Sequence, residues 1–263
     1  ANRMPVMPLL AVGLGVAALA FALLWILSVR LKNYGFLDVM WSLSIGMLAA
    51  MDALLGAGQP LRRLAFAVLG VAWSLRLGLY ILIRVLRAHP QEDKRYRTLR
   101  EQWPGRGRFL LFFELQALIA VVFSLPFLLA SVDTHPGLTG LEIFGLTLAL
   151  CATAGEALAD WQAQRFKRDP ANKAAVVDVG LWRYSRHPNY FFESLVWWGF
   201  FMAAVDLPHG SVTLICPLLM LYLLLKVTGI PLTEKHSLES RGEAYRQYQR
   251  TTSRFVPWFR KNT

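Results

Sequence analysis

Only two cysteines, Cys151 and Cys216, occur in the 263 residues, and both fall inside apolar blocks. They provide no disulfide framework and no zinc spacing, so no metal site is expected. Charge is scarce too. Charged residues make up 17% of the chain, too few to cover the surface of a soluble domain of this length. Acidic residues are the scarcer kind, 17 against 28 Lys and Arg, which leaves a net charge of +11. A basic excess can indicate nucleic acid. Here the Lys and Arg lie in clusters between long apolar blocks, so the positive-inside rule accounts for them and no nucleic-acid partner is expected. A usable dinucleotide fingerprint is lacking as well. GLGVAA, in the first apolar block, fits G-x-G-x-x-A, but that motif works only at a strand-to-helix turn and here lies within a spanning helix. The block is long enough to span, so it reads as a membrane helix rather than a cleavable signal.

What is present is apolar sequence, 55% of the chain, in runs of about twenty residues. These predict an all-α integral membrane protein with about seven transmembrane helices near 5–27, 36–55, 64–85, 109–130, 138–159, 188–205 and 212–230. A tail over 231–263 completes a single transmembrane domain. The connections after the fourth and sixth spans, SVDTHPG and DLPHG, have no Lys or Arg, whereas those after the third and fifth are rich in both. The N-terminus is therefore expected outside and the C-terminus in the cytoplasm. Arg62 and Arg63 dissent, since they fall on the expected outer side.

Several polar residues lie where lipid would penalise them. Asp38 is near the start of the second span. Arg76, Tyr80, Arg84 and Arg87 recur at spacings of four, four and three on the third, which stacks them along one face. Snorkelling explains Arg87 but not Arg76. Glu156 and Asp160 close the fifth span, followed by Arg165, Lys167, Arg168 and Lys173, a cluster suited to phosphate. The stretch Gly180–Glu193, GLWRYSRHPNYFFE, gathers Tyr184, Arg186, His187, Asn189 and Glu193 at a helix entrance. Ser185 is a candidate N-cap, Pro188 suits the first turn, and Asn189 and Glu193 share a face. Such a stretch can hold an anionic ligand with a polar ring, or it can be a basic collar at the lipid headgroups.

The RHPNY–Glu193 segment, the pair Glu234 and Tyr245, and the closing RFVPW resemble a C-terminal region common to steroid 5α-reductases, sterol reductases, and isoprenylcysteine and phospholipid methyltransferases. Asp38, the Tyr–Arg face of the third span and the Asp160–Lys167 segment resemble the steroid 5α-reductase family in particular, in its bacterial members. The resemblance implies a helical bundle in the bacterial inner membrane that takes NADPH from the cytoplasmic side and a steroid from the bilayer. It implies Asp38 and Tyr80 at the substrate carbonyl, Asp38 being one carbon shorter than the family's Glu. It assigns Arg84, Arg95, Asp160, Lys167, Tyr184, Asn189 and Glu193 to the cofactor. The basic groups Arg168, Lys173, Arg186 and His187 join them. So does Glu234, where the steroid enzymes have His.

The implied reaction adds hydride to the β-carbon of a 3-oxo-Δ4-steroid or similar lipid enone. Tyr80 would donate to the carbonyl oxygen, with a protonated Asp38 sharing the task. The partners are then the bilayer and the enone, with no obligatory protein partner. An S-adenosylmethionine-dependent methyltransferase would share the C-terminal region but needs no such donor. A transporter would be expected to show internal repeats, and none is seen.

Overall fold

The structure is a computed structural model that describes residues 3–103 and 105–261, a range that includes every candidate site residue. Among the described residues no strand forms; one isolated bridge joins Met4 to Gly56. Six helical segments among them are long and apolar enough to cross a bilayer, and the chain is an integral membrane protein. The helix at the sixth expected span, Pro188–Ala204, has 17 residues. At 1.5 Å per residue it extends about 25 Å, less than the roughly 30 Å hydrocarbon core. The chain divides into two compact units.

The first unit covers Ala1–Glu142 and Ala204–Thr213. It contains α1 (Val6–Leu31), α2 (Phe36–Leu55), α3 (Pro60–Ala88), α4 (Lys94–Gln102) and α5 (Arg106–Val132). Gln59 starts α3, its Oε1 accepting the Arg62 N–H at 2.6 Å, with Pro60 at the first helical position where its missing N–H costs nothing. Helices α2 and α3 approach closely at Gly46. Ser74 Oγ donates to the Ser42 carbonyl at 2.6 Å and accepts the Gly46 N–H at 3.2 Å. A Cβ at Gly46 would collide with the Ser74 side chain.

Arg62 and Arg63, the two residues that dissented from the charge rule, are buried. Arg62 pairs with Asp133 at 2.9 Å and with Glu142, and donates to the carbonyls of His135 and Gly137, both at 2.8 Å. Arg63 donates to the carbonyls of Ala53 and Gly56, both at 2.8 Å. Arg63 Nε has no hydrogen-bond partner among the described residues, but both side chains are buried inside the protein, so they do not count as headgroup-facing charge. Burial alone would push the Asp133 carboxyl up, but His135 and Arg62 hold it below the usual range.

The second unit covers Ile143–Ala203 and Leu214–Thr263. It contains most of α6 (Gly140–Arg168), α7 (Pro188–Ala204), α8 (Ile215–Tyr222) and α9 (Ile230–Thr251), with a π-helical turn at Leu223–Val227 before α9. Helix α6 outruns the expected span to Arg168, because Ala, Gln, Arg and Lys all favour helix and nothing interrupts it before Pro170. Asp160, Lys167 and Arg168 are therefore helical. Two G-x-x-x-A motifs, Gly145–Ala149 and Gly199–Ala203, bring α6 and α7 into backbone contact. A Cβ at Gly199 would lie 2.6 Å from the Ala149 nitrogen, and one at Gly145 would strike the Ala203 nitrogen.

Candidate functional site

In the second unit the chain enters α7 through the 3-10 turn Gly180–Arg183. Ser185 Oγ accepts the His187 N–H at 3.1 Å and donates to the Phe255 carbonyl at 2.7 Å. Ser185, expected as the N-cap, instead lies two residues ahead of the cap position, since α7 begins at Pro188, and it ties the entrance to the tail. Arg186 is buried and continues the tie. Its Nε donates to Glu234 Oε1 at 2.7 Å, its Nη1 to the carbonyls of Gln249 and Thr252 at 2.8 and 3.0 Å, and its backbone N–H to the Ser253 carbonyl at 2.8 Å. Gln249 donates to Glu234 Oε2 at 3.2 Å. His187 Nε2 lies 3.3 Å from Glu234 Oε1, and its ring stacks on Tyr190 with centroids 5.4 Å apart. Burial pushes the His187 imidazole below its usual range against the opposing pull of Glu234. Arg186, His187 and Glu234 are thus brought together as a latch that holds the α7 entrance to α9.

Asn189 stands at the first turn of α7 and donates from Nδ2 to Asp160 Oδ1 on α6 at 3.3 Å. The carboxylate sets the amide orientation, since it can only receive from the NH2 side. Asn189 Oδ1 is then left buried with no hydrogen-bond partner among the described residues. Such an acceptor is costly and calls for an explanation. Glu193, one turn on and on the same face, is buried and accepts the Trp197 indole N–H at 3.0 Å. Lys167, Arg168, Lys173 and Tyr184 are exposed. The Tyr184 ring meets Phe259 edge-on, and its carbonyl accepts the Trp258 N–H at 2.9 Å.

In the first unit, Asp38 faces two donors. Arg95 Nη2 approaches Oδ2 at 2.8 Å and the Tyr96 hydroxyl approaches Oδ1 at 2.6 Å. Arg95 also donates to Asp93, from Nε at 3.1 Å and Nη2 at 2.9 Å, while Asp93 caps α4 by accepting the Arg95 backbone N–H at 2.9 Å. Burial would push the Asp93 carboxyl up, yet Arg95, with Arg84 beyond it, holds it below the usual range. Burial and the Asp38 charge push the Tyr96 phenol well above its ordinary value, so it remains a donor.

Asp38, expected at the substrate carbonyl, is held by these two donors on α4, and Arg95, expected at the cofactor, is its ion-pair partner. Tyr80 is half-buried and Arg84 exposed on α3. Sequence reasoning passed over Tyr96. Its signal was an Asp N-cap ahead of Tyr96 and Leu99, an i, i+3 pair within an otherwise charged loop.

No solved structure matches the chain. A Schizosaccharomyces pombe protein, "Uncharacterized protein C594.04c", is 28% identical over 279 aligned positions, covering 94% of this chain and 79% of that one. Residues 24–252, which carry both clusters, match the family described as "Protein of unknown function (DUF1295)", and the chain belongs to that family.

Proposed function

We propose that the protein is an NADPH-dependent reductase that adds hydride to the β-carbon of a lipid-soluble enone of the 3-oxo-Δ4-steroid class. The observation that carries this reading is the buried, unpartnered Oδ1 of Asn189, with the other side of the amide held by Asp160. A nicotinamide carboxamide offers the N–H that such an acceptor lacks. The matched family is a steroid 5α-reductase-like superfamily domain in general, which supports the same class.

The residues present fit that cofactor. Asn189 would read the carboxamide, Asp160 would keep Asn189 oriented, and the exposed Lys167, Arg168 and Lys173 would meet phosphates. Glu193 lies on the Asn189 face, and the Arg186–His187–Glu234 latch holds the α7 entrance in place. When bound, the cofactor supplies the hydride. The chain's own task at the substrate is to stabilise negative charge on the carbonyl oxygen, and Tyr80 takes that role as donor. The Tyr96 proton is already directed at Asp38. On this reading the cofactor is taken from the cytoplasm and the enone from the bilayer.

The test is thermal stabilisation of the detergent-purified protein by NADPH, NADH and S-adenosylmethionine, because a ligand that binds the folded state raises Tm. A rise with NADPH that is lost in Asn189→Ala is expected. A rise with S-adenosylmethionine alone would make the protein a methyltransferase and end the reductase reading.

A further inference from the structure

Within the first unit, the end of α1, the end of α4 and the start of α5 border a half-open pocket of about 340 Å³. Lys32, Tyr34, Arg100, Trp103 and Phe109 line it. None of these residues takes part in the proposed reaction. The volume falls in the range of small-molecule sites, roughly 300–1,000 Å³.

The lining carries an unanswered charge. The half-buried Glu92 takes Arg100 at 2.8 Å and also accepts the Tyr34 backbone N–H at 2.9 Å, so one carboxylate answers one guanidinium. Arg100 also lies over the Tyr34 ring, 5.9 Å from its centroid. Lys32 makes no ion pair among the described residues. Its backbone is left-handed, with φ 53°, at the C-cap of α1. That conformation costs a non-glycine residue about 1–2 kcal/mol. A strained, unpaired cation on a cavity wall points to a role outside the fold.

The remaining wall is aromatic. Tyr34 and Phe109 stack with centroids 4.5 Å apart, and Trp103 is 43% exposed. The cavity adjoins the end of a membrane-spanning helix, where the headgroups of a bilayer begin. We propose that it binds an acidic amphiphile, with the negative head at Lys32 beside Arg100 and the apolar part against Trp103 and Phe109. A phosphodiester lipid head and a free phosphate share the anionic chemistry, but the aromatic wall favours the lipid.

The experiment uses delipidated full-length protein in detergent. Dioleoyl phosphatidylglycerol or dioleoyl phosphatidylcholine, identical in their tails, is added and the bound lipid counted by native mass spectrometry. Preferential retention of phosphatidylglycerol is expected. Lys32→Gln should weaken it about tenfold, the worth of one charge-assisted hydrogen bond. Arg30→Gln removes an equal charge two residues away, outside the cavity lining, and should leave retention unchanged. Lys32→Gly should lose the lipid while melting no lower than wild type without lipid, since glycine accepts the left-handed backbone. That outcome separates loss of the site from loss of the fold. Equal losses in Arg30→Gln and Lys32→Gln would indicate a diffuse basic collar and overturn the proposal. Equal retention of the two lipids would overturn it too, as would displacement of phosphatidylglycerol by inorganic phosphate.

Discussion

The Tyr96 hydroxyl donates to Asp38 Oδ1 at 2.6 Å, across 58 positions of sequence. With the Arg95–Asp38 pair beside it, this bond docks the short, highly charged helix α4 on the first turn of α2. Isolated, nine residues are too few for a stable helix, so the docking is what orders them. Tyr96→Phe should lower stability by about 1–2 kcal/mol, the worth of a partly exposed hydrogen bond to a carboxylate. It should also raise hydrogen exchange over residues 94–102. Unchanged exchange there would mean that α4 is held by something else.

Tyr80→Phe is the contrasting variant. As the proposed carbonyl donor, Tyr80 should matter to turnover and little to stability. Enone reduction should fall by about 10²–10³, the usual cost of one oxyanion donor, while stabilisation by NADPH stays intact. Wild-type turnover in this variant would remove Tyr80 from the reaction.

Asn189→Ala should reduce NADPH affinity about tenfold or more, since one hydrogen bond to the carboxamide is lost. The melting temperature without ligand should change little, because deleting a buried acceptor with no partner among the described residues offsets the lost bond to Asp160. If affinity is unchanged, the orphan oxygen serves some other ligand.

Glu142→Gln tests the buried network around Arg62. It leaves a guanidinium that is 1% exposed with Asp133 as its remaining carboxylate. Breaking a buried pair in this way costs about 3–5 kcal/mol. Chemical denaturation in detergent that shifts by less than about 1 kcal/mol would show that Asp133 suffices alone.

His187 sets a pH dependence. Burial holds its folded-state pKa below the unfolded value, so the unfolded chain binds the proton first on acidification. Its contribution to stability is complete above the unfolded value and is lost as pH falls from there through the folded one. Glu234 faces the ring and opposes the shift, whereas Arg186 and Arg254 add to it. Tm should therefore drop between about pH 7 and pH 5, and His187→Phe should flatten that slope. A slope that is identical in the variant would place the titration elsewhere.

Much of this was readable in advance, for reasons that are local. Asn189 and Glu193 were placed on one face by a spacing of four, and they lie so on α7. Lys167 and Arg168 were found by their cluster, although their helix was expected to end earlier. The Arg62–Asp133–Glu142 network was not readable. Its members are 71 and 80 positions apart, and the charge rule read Arg62 as an anomaly rather than as a buried partner. Tyr96 was missed for the same reason: a loop rich in both signs of charge offers many pairings of similar local merit.

The sequence by itself determined that the chain is helical and lies in a membrane, because apolar runs of about twenty residues leave the backbone no other way to satisfy its hydrogen bonds in lipid. It also set the helix start at Pro188, where proline's fixed φ and missing N–H are harmless. Only the tertiary structure decided which charge answers which. Arg95 takes Asp38, Glu234 takes Arg186, and Asn189 keeps one buried oxygen unanswered among the described residues. Hydropathy acts over neighbouring residues and survives in a window of sequence. An ion pair or a hydrogen bond acts over about 3 Å of space, and that proximity exists only once the helices have packed.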